Sequence, residues 1–151
     1  MRIYISASWK NRAIVRNLAE TLRKYKYQVF DFTDPDNRKI HETPPEIFPE
    51  KFDPTQHVYS KYLDRKEWRE VVNENREEIE KADLIILLLP CGIDATADWA
   101  LGVGMGKPSI IVGHPHKGER SEVHLWADDI LDSTEDIIPW LKAHKHFEAS
   151  K

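Results

Sequence analysis

The chain of 151 residues has one cysteine, Cys91, and only six glycines. A lone cysteine excludes an intrachain disulfide and a multi-cysteine zinc site, because both need several sulfur atoms in one place. No histidine stands at a spacing that pairs it with Cys91 as in a thiol enzyme, so we expect a packed loop thiol.

The sequence also lacks any concentrated charge. Its 22 basic and 26 acidic residues are mixed along the chain and give a formal net charge of −4, so it has no basic block of the kind that binds nucleic acid or anionic lipid. No apolar run reaches the roughly 18 residues of a membrane span, and no apolar signal core precedes the strand-like run RIYISAS. We therefore expect a cytoplasmic protein with a small-molecule partner, and neither a nucleic-acid nor a membrane partner.

The hydrophobic pattern alternates between strand and helix signals over a length that fits one domain, residues 1–151. Strands are predicted at 3–5, 27–32, 84–89 and 109–112. One helix is predicted from a stripe of Ile14, Leu18 and Leu22, with Val15 and Ala19 beside them. Two more are predicted, from Thr55 to Lys81 with a loss of phase near Asp64, and at 135–145. This alternation predicts an α/β, flavodoxin-like doubly wound and mostly parallel sheet of four to five strands with helices on both faces.

Residues 33–54 interrupt the alternation. They contain five prolines and no periodicity. A loop of this length in a compact domain is usually functional or disordered, and prolines limit its freedom, so we expect a semi-ordered lid or binding loop.

Asp98 is the first candidate for chemistry. It lies in a small, apolar helix beginning that directly follows the aliphatic strand 84–89, and open α/β sheets bind ligands at the carboxyl ends of their strands. With Asp94 as the helix cap, Asp98 ends the first turn, where the helix dipole favours the ionised form that a nucleophile needs. Burying such a charge costs several kcal/mol, which indicates a use for it. A structural or helix-capping carboxylate is the alternative.

The loop after the first strand, SASWKNR at 6–12, is the second candidate. It contains no glycine, so it matches neither a Walker nor a dinucleotide-binding pattern. Its polar side chains suit a sugar hydroxyl or a phosphate at a helix N-terminus: Ser6, Ser8, Lys10, Asn11 and Arg12. Trp9 could stack on a base. The alternative is an ordinary turn in which Asn11 caps the following helix.

Asn75 is the third candidate. It falls on a stripe with Trp68, Val72 and Ile79 that is expected to meet the sheet, so its amide needs a partner there. It could reach the same crevice as Asp98, or it could bond loop backbone as a buried structural amide. Three histidines follow the fourth predicted strand, namely His114, His116 and His124. Their spacing matches no common metal site, so we predict no metal.

Four segments together resemble the nucleoside 2-deoxyribosyltransferase family and its nucleotide N-glycosidase relatives. They are IYISASW at 3–9, NENREEIEKADLIILLLP at 73–90, ADWALGVGMGKPSIIV at 97–112 and EVHLWADDILDS at 122–133. The resemblance implies a flavodoxin-like fold, a homodimer or larger homo-oligomer, and cleavage of N-glycosidic bonds without a metal or organic cofactor.

The same resemblance implies roles for individual residues. Asp98 matches the carboxylate that attacks the anomeric carbon to form a glycosyl ester, which water or a second base then resolves. Tyr4 matches a residue that positions this nucleophile, and Asn75 matches an Asp that handles the leaving base. Substrate binding is implied for Trp9 and the loop serines, and we add Gly92 and Asp94 at the start of the helix that carries Asp98.

The chain departs from the family pattern at three positions. Asp98 replaces a longer Glu, Ala100 replaces a Gly, and Asn75 cannot transfer a proton at neutral pH. The leading hypothesis is cleavage of a nucleoside or nucleoside 5′-monophosphate, by hydrolysis or deoxyribosyl transfer. The alternatives are a catalytically impaired nucleotide sensor and a domain resembling the Toll/interleukin-1 receptor type that cleaves NAD.

Overall fold

Five parallel strands form the centre of the molecule in the computed structural model, which describes residues 1–38 and 51–144. The strands are β1 (Arg2–Ala7), β2 (Gln28–Phe30), β3 (Leu84–Leu88), β4 (Ser109–Val112) and β5 (Asp129–Leu131). They lie in the order β2-β1-β3-β4-β5, and every neighbouring pair is parallel. This architecture confirms the predicted fold class.

In the described ranges, five α-helices accompany the sheet: α1 (Arg12–Lys24), α2 (Tyr59–Tyr62), α3 (Lys66–Lys81), α4 (Ile93–Gly104) and α5 (Ile137–Ala143). Short 3₁₀ turns lie at Trp9–Asn11, Pro35–Asn37, Glu122–Trp126 and Thr134–Asp136. No helix within 1–38 or 51–144 combines the length and apolar character needed to cross a bilayer.

Side chains alternate between the two faces of the sheet, and each face has its own core. On one face, Ile3 and Ile5 of β1 pack with the buried stripes of α1 and α5. On the other face, Tyr4 of β1 packs with Ile79 of α3 and Trp99 of α4. The candidate catalytic residues therefore belong to the α3–α4 face.

Two positions of the predicted helical stripes differ in the structure, while the other aliphatic residues of these stripes are buried as predicted. Ile14 is 48% exposed and the adjacent Val15 is fully buried, and Val72 is 51% exposed while Val71 is buried. Each difference falls on a pair of adjacent β-branched residues, which satisfy the apolar pattern equally well.

Several helices and strands are shorter than predicted. The stretch from Thr55 to Lys81 divides into two helices near Asp64, where the sequence pattern loses phase, because Arg65 is extended between α2 and α3. Its first helix begins later than predicted, since Thr55 bonds the Asp53 side chain in a turn. The predicted helix at 135–145 begins as α5 only at Ile137, after a capping box that joins Ser133 and Asp136. The second strand is three residues long instead of six.

The predicted lid at 33–54 is described only at its two ends. Residues 39–50 lie outside the described part of the chain, as does Lys145, the predicted last residue of the terminal helix. The segment from Thr33 to Arg38 is well tied down: buried Asp31 accepts hydrogen bonds from both the amide and the hydroxyl of Thr33. Arg38 follows the short turn Pro35–Asn37, and its side chain bonds the backbone of Phe32 just beyond β2.

Candidate functional site

A pocket of about 290 Å³ opens beside the carboxyl ends of β1 and β3. The strand order reverses at this pair, because the chain proceeds from β1 to β2 on one side and from β3 to β4 on the other. Ligands bind at such a switch point in open α/β sheets. The lining residues are Tyr4, Ser6, Ala7, Ser8, Trp9, Phe32, Arg38, Trp68, Val71, Asn75, Gly92, Ile93, Asp94, Ala95 and Asp98.

Asp98 is held in this pocket by two donors from different elements. The Tyr4 hydroxyl on β1 donates to Oδ2 of Asp98 at 2.8 Å, and the Asn75 Nδ2 on α3 donates to the same oxygen at 3.2 Å. Oδ1 of Asp98 receives neither bond. The structure thus brings together the three residues that the sequence singled out on separate elements.

The electrostatics of Asp98 combine opposing effects. Burial raises the pKa of the Asp98 carboxyl above its ordinary value, and the Asp94 charge raises it further, while the bonds from Tyr4 and Asn75 lower it. Burial and the adjacent Asp98 charge hold the pKa of Tyr4 well above its ordinary value. Tyr4 therefore keeps its proton at neutral pH and remains a donor to the carboxylate.

Close packing of α4 on the sheet places Asp98. A Cβ added to Gly102 would lie 2.6 Å from Cγ1 of the buried Ile85, so only glycine allows the helix to come this near. Gly104 ends α4 in open space, and Gly106 lies beyond the helix at a φ of 73°.

The cap of α4 differs from the prediction. Gly92 is the N-cap residue and Asp94 lies in the first turn, so the predicted cap at Asp94 was wrong. Asp98 consequently lies in the second turn, where the field of the helix end has weakened, and side-chain hydrogen bonds take its place. Gly92 and Asp94 both line the pocket.

The loop after β1 contributes only part of its predicted set to the pocket. Ser6 is 2% exposed and donates to the Ala95 carbonyl at 2.7 Å, which ties β1 to α4. Ser8 and Trp9 line the pocket, and the Trp9 ring lies 6.0 Å from that of Phe32. Ser8 and Trp9 can therefore contact a ligand, while the Ser6 hydroxyl fixes the pocket wall by joining β1 to α4.

The other three predicted loop residues do not line this pocket. Lys10 is exposed, and the Arg12 guanidinium lies 6.0 Å from the Trp9 ring centroid. Asn11 precedes α1 but makes no capping bond; its amide donates to the Pro90 carbonyl at 2.7 Å instead. The capping role expected for Asn11 was wrong because the loop before α4 lies within its reach.

Sequence reasoning missed Phe32, Arg38 and Val71 as lining residues. Val71 was missed because the apolar pattern placed the adjacent Val72 on the buried stripe of α3. Arg38 lies in the proline-rich segment, where no periodic signal could identify it. Its Nη1 donates to the Phe32 carbonyl at 3.1 Å and its Nε lies 3.5 Å from Glu74 Oε2, with the two side chains only 6% and 5% exposed.

Two polar atoms at this pocket are shielded from solvent and have no hydrogen-bond partner among residues 1–38 and 51–144. They are Nη2 of Arg38, a donor, and Oδ1 of Asn75, an acceptor. The Asn75 amide faces Asp98 with its nitrogen, since an ionised carboxylate only accepts, and this leaves Oδ1 unpaired. An unsatisfied buried donor and acceptor beside one cavity are typical of a site that awaits a polar ligand.

The remaining candidates lie elsewhere. Burial raises the pKa of the Cys91 thiol, whose sulfur is 3.4 Å from the Thr96 hydroxyl, which agrees with a packed thiol. His114 and His116 are exposed and His124 packs edge-on against Trp99. Within residues 1–38 and 51–144, no three metal-ligating side chains are grouped as a metal site.

The fold and site define a flavodoxin-like α/β protein with a half-buried carboxylate at the sheet switch point. No protein-family model and no curated protein sequence matches the chain. Among solved structures, it is similar to a 2-deoxyribosyltransferase from Bacillus psychrosaccharolyticus, with a TM-score of 0.58, 18% identity, and coverage of 91% of this chain and 90% of that one. It is also similar to the CMP N-glycosidase of Clostridium botulinum, with a TM-score of 0.52, 14% identity, and coverage of 94% and 99%. The chain shares the fold of these enzymes over nearly its whole length.

Proposed function

We propose that this protein cleaves the N-glycosidic bond of a nucleoside or nucleoside 5′-monophosphate, with Asp98 as the nucleophile. One observation carries the proposal: Tyr4 and Asn75 both donate to Oδ2 of a carboxylate that lines the switch-point pocket. The shared fold supports it, because one structural neighbour is a 2-deoxyribosyltransferase and the other is a CMP N-glycosidase.

In the proposed reaction, Oδ1 of Asp98 attacks the anomeric carbon and the base leaves with the electrons of the C–N bond. The product is a glycosyl ester on Asp98, and water or a second base displaces the carboxylate to complete hydrolysis or transfer. Tyr4 and Asn75 orient the carboxylate through Oδ2. The departing base takes its proton from water, because an amide such as Asn75 cannot supply one.

The geometry favours a slow enzyme of this class. Aspartate places its oxygens one methylene nearer the backbone than glutamate does, and a displacement of about 1 Å in a reacting group costs on the order of 100-fold in rate. A nucleotide sensor that has lost turnover is the second candidate function, and the amide at position 75 favours it.

Charge in the pocket favours a nucleoside over its monophosphate. Among the described lining residues, the carboxylates Asp94 and Asp98 face one cation, Arg38, which is already paired with Glu74. Lys10 and Arg12, the cations that the sequence offered for a phosphate, are not among those lining residues. We therefore expect a lower KM for the nucleoside than for its 5′-phosphate.

The test is release of free base from a panel of nucleosides, their 5′-monophosphates and NAD, measured by chromatography with and without an added second base. We expect release by the natural protein, loss of it in Asp98→Asn, and retention in Asp132→Asn, a matched change at an exposed surface aspartate. A new nucleoside in the presence of the second base identifies transfer.

Two results would contradict an enzymatic role for Asp98. One is the absence of base release from every substrate, and the other is release that Asp98→Asn leaves unchanged. A nucleoside that raises the melting temperature without any turnover would favour the sensor instead.

A further inference from the structure

The buried guanidinium of Arg38 has a use that the proposed reaction does not explain. Glu74 and the Phe32 carbonyl hold its Nε and Nη1, while Nη2 is shielded from solvent and has no acceptor in the part of the chain that the structure describes. Leaving a charged donor unsatisfied in the interior is costly, so the bare structure is incomplete at this atom. A ligand that enters the adjoining pocket can supply the missing acceptor.

Arg38 lines the pocket together with apolar side chains. Its partner Glu74 is adjacent to Asn75 on α3, and its other partner is the backbone of Phe32. Phe32, Trp68 and Val71 line the same pocket and provide flat, apolar walls that suit a nucleobase. The loop after β1 and the start of α4 also line the pocket, and their hydroxyls and backbone suit a sugar.

The chemistry of the guanidinium restricts what it can bind. Arginine has donors and no acceptor, so the ligand atom must be an acceptor. Glu74 compensates the positive charge at 3.5 Å, which favours a neutral acceptor over a phosphate. Nucleobases differ from one another in whether and where they carry a carbonyl oxygen, which is a neutral acceptor.

We propose that Arg38, oriented by Glu74, selects a nucleobase that carries a carbonyl oxygen over the same ring without it. This inference rests on the proposed function for the ligand class, a nucleoside, but not on turnover. A site that provides a buried donor rejects the analogue that leaves this donor unpaired. We expect the oxo base to bind about 10- to 100-fold more tightly, the range given by one hydrogen bond to a charged group.

The experiment uses free bases, so that binding is measured apart from catalysis. Hypoxanthine is compared with purine, and uracil with pyrimidine, by equilibrium titration of the full chain. The natural protein should prefer the oxo member of at least one pair. The double variant Arg38→Met with Glu74→Gln removes both charges together, and it should bind the two members of that pair equally.

Arg38→Lys provides a second variant that keeps the charge pair with Glu74 but loses the planar fork, and we expect an intermediate preference. Melting curves confirm that each variant is folded. Equal binding of both members of each pair, failure of every base to bind, or a preference that survives in the double variant would overturn the inference. Selective binding without cleavage of any nucleoside would refute the proposed function alone, and cleavage without oxo preference would refute the inference alone.

Discussion

Replacing Tyr4 by phenylalanine tests the electrostatics of the site most sharply. The hydroxyl donates to Asp98 at 2.8 Å, and its ring is 1% exposed and stacked on Phe30 at 5.4 Å, so Tyr4→Phe removes one oxygen and keeps the packing. A hydrogen bond to a charged group contributes about 1.5–3 kcal/mol, against about 0.5–1.5 kcal/mol for a neutral pair. The loss should therefore be larger when Asp98 is ionised.

The pH dependence of the Tyr4→Phe variant follows from the effect of this hydrogen bond on the pKa of Asp98. The Tyr4 bond lowers the pKa of Asp98, so its removal raises that pKa and moves the acid limb of kcat/KM to higher pH. Unfolding by urea should show a stability loss that grows as pH rises through the titration of Asp98. Tyr25→Phe, at a half-exposed ring, is the matched control and should change neither profile. An unmoved acid limb together with a stability loss equal at acidic and neutral pH would refute this reasoning.

Two further predictions concern stability. Burial raises the pKa of Asp98, so the native state holds this proton to higher pH than the unfolded chain does, and stability falls as pH rises from the ordinary aspartate pKa through the raised one. Asp98→Asn should therefore melt higher than the natural protein at neutral pH, and the difference in melting temperature should shrink in acid. A difference that is the same at both pH values would contradict this. Gly102→Ala should lower the free energy of unfolding in urea by about 1–3 kcal/mol, because the added Cβ meets Ile85. Gly104→Ala faces open space and should raise the free energy of unfolding by up to about 1 kcal/mol through helix propensity. Equal effects of the two changes would show that α4 can shift away from the sheet.

The sheet could be predicted largely from hydrophobic pattern. The aliphatic run of β3 is buried at every position, as a central parallel strand requires, and its length was overestimated by only one residue. β5 received no predicted range, because two of its three residues are exposed and it lies at the sheet edge. Edge strands this short give no periodic signal.

The site was predictable where chemistry contrasts with its surroundings. Asp98 and Asn75 were visible as polar residues within apolar helical patterns, and the structure brings their side chains within hydrogen-bonding distance. Arg38 was not visible, since its position depends on a turn after β2 and on Glu74 across space, which no local pattern encodes. The roles of these residues in a reaction remain predictions.

The most direct test of the central claim is to trap the intermediate. Acid-quenched turnover mixtures should contain protein that carries one added sugar, and peptide mapping by mass spectrometry should place that sugar on Asp98. We expect the adduct to form in the natural protein and to be absent from Asp98→Asn. Base release that proceeds with Asp98 unmodified, or with the sugar attached to another residue such as Asp94, would contradict it.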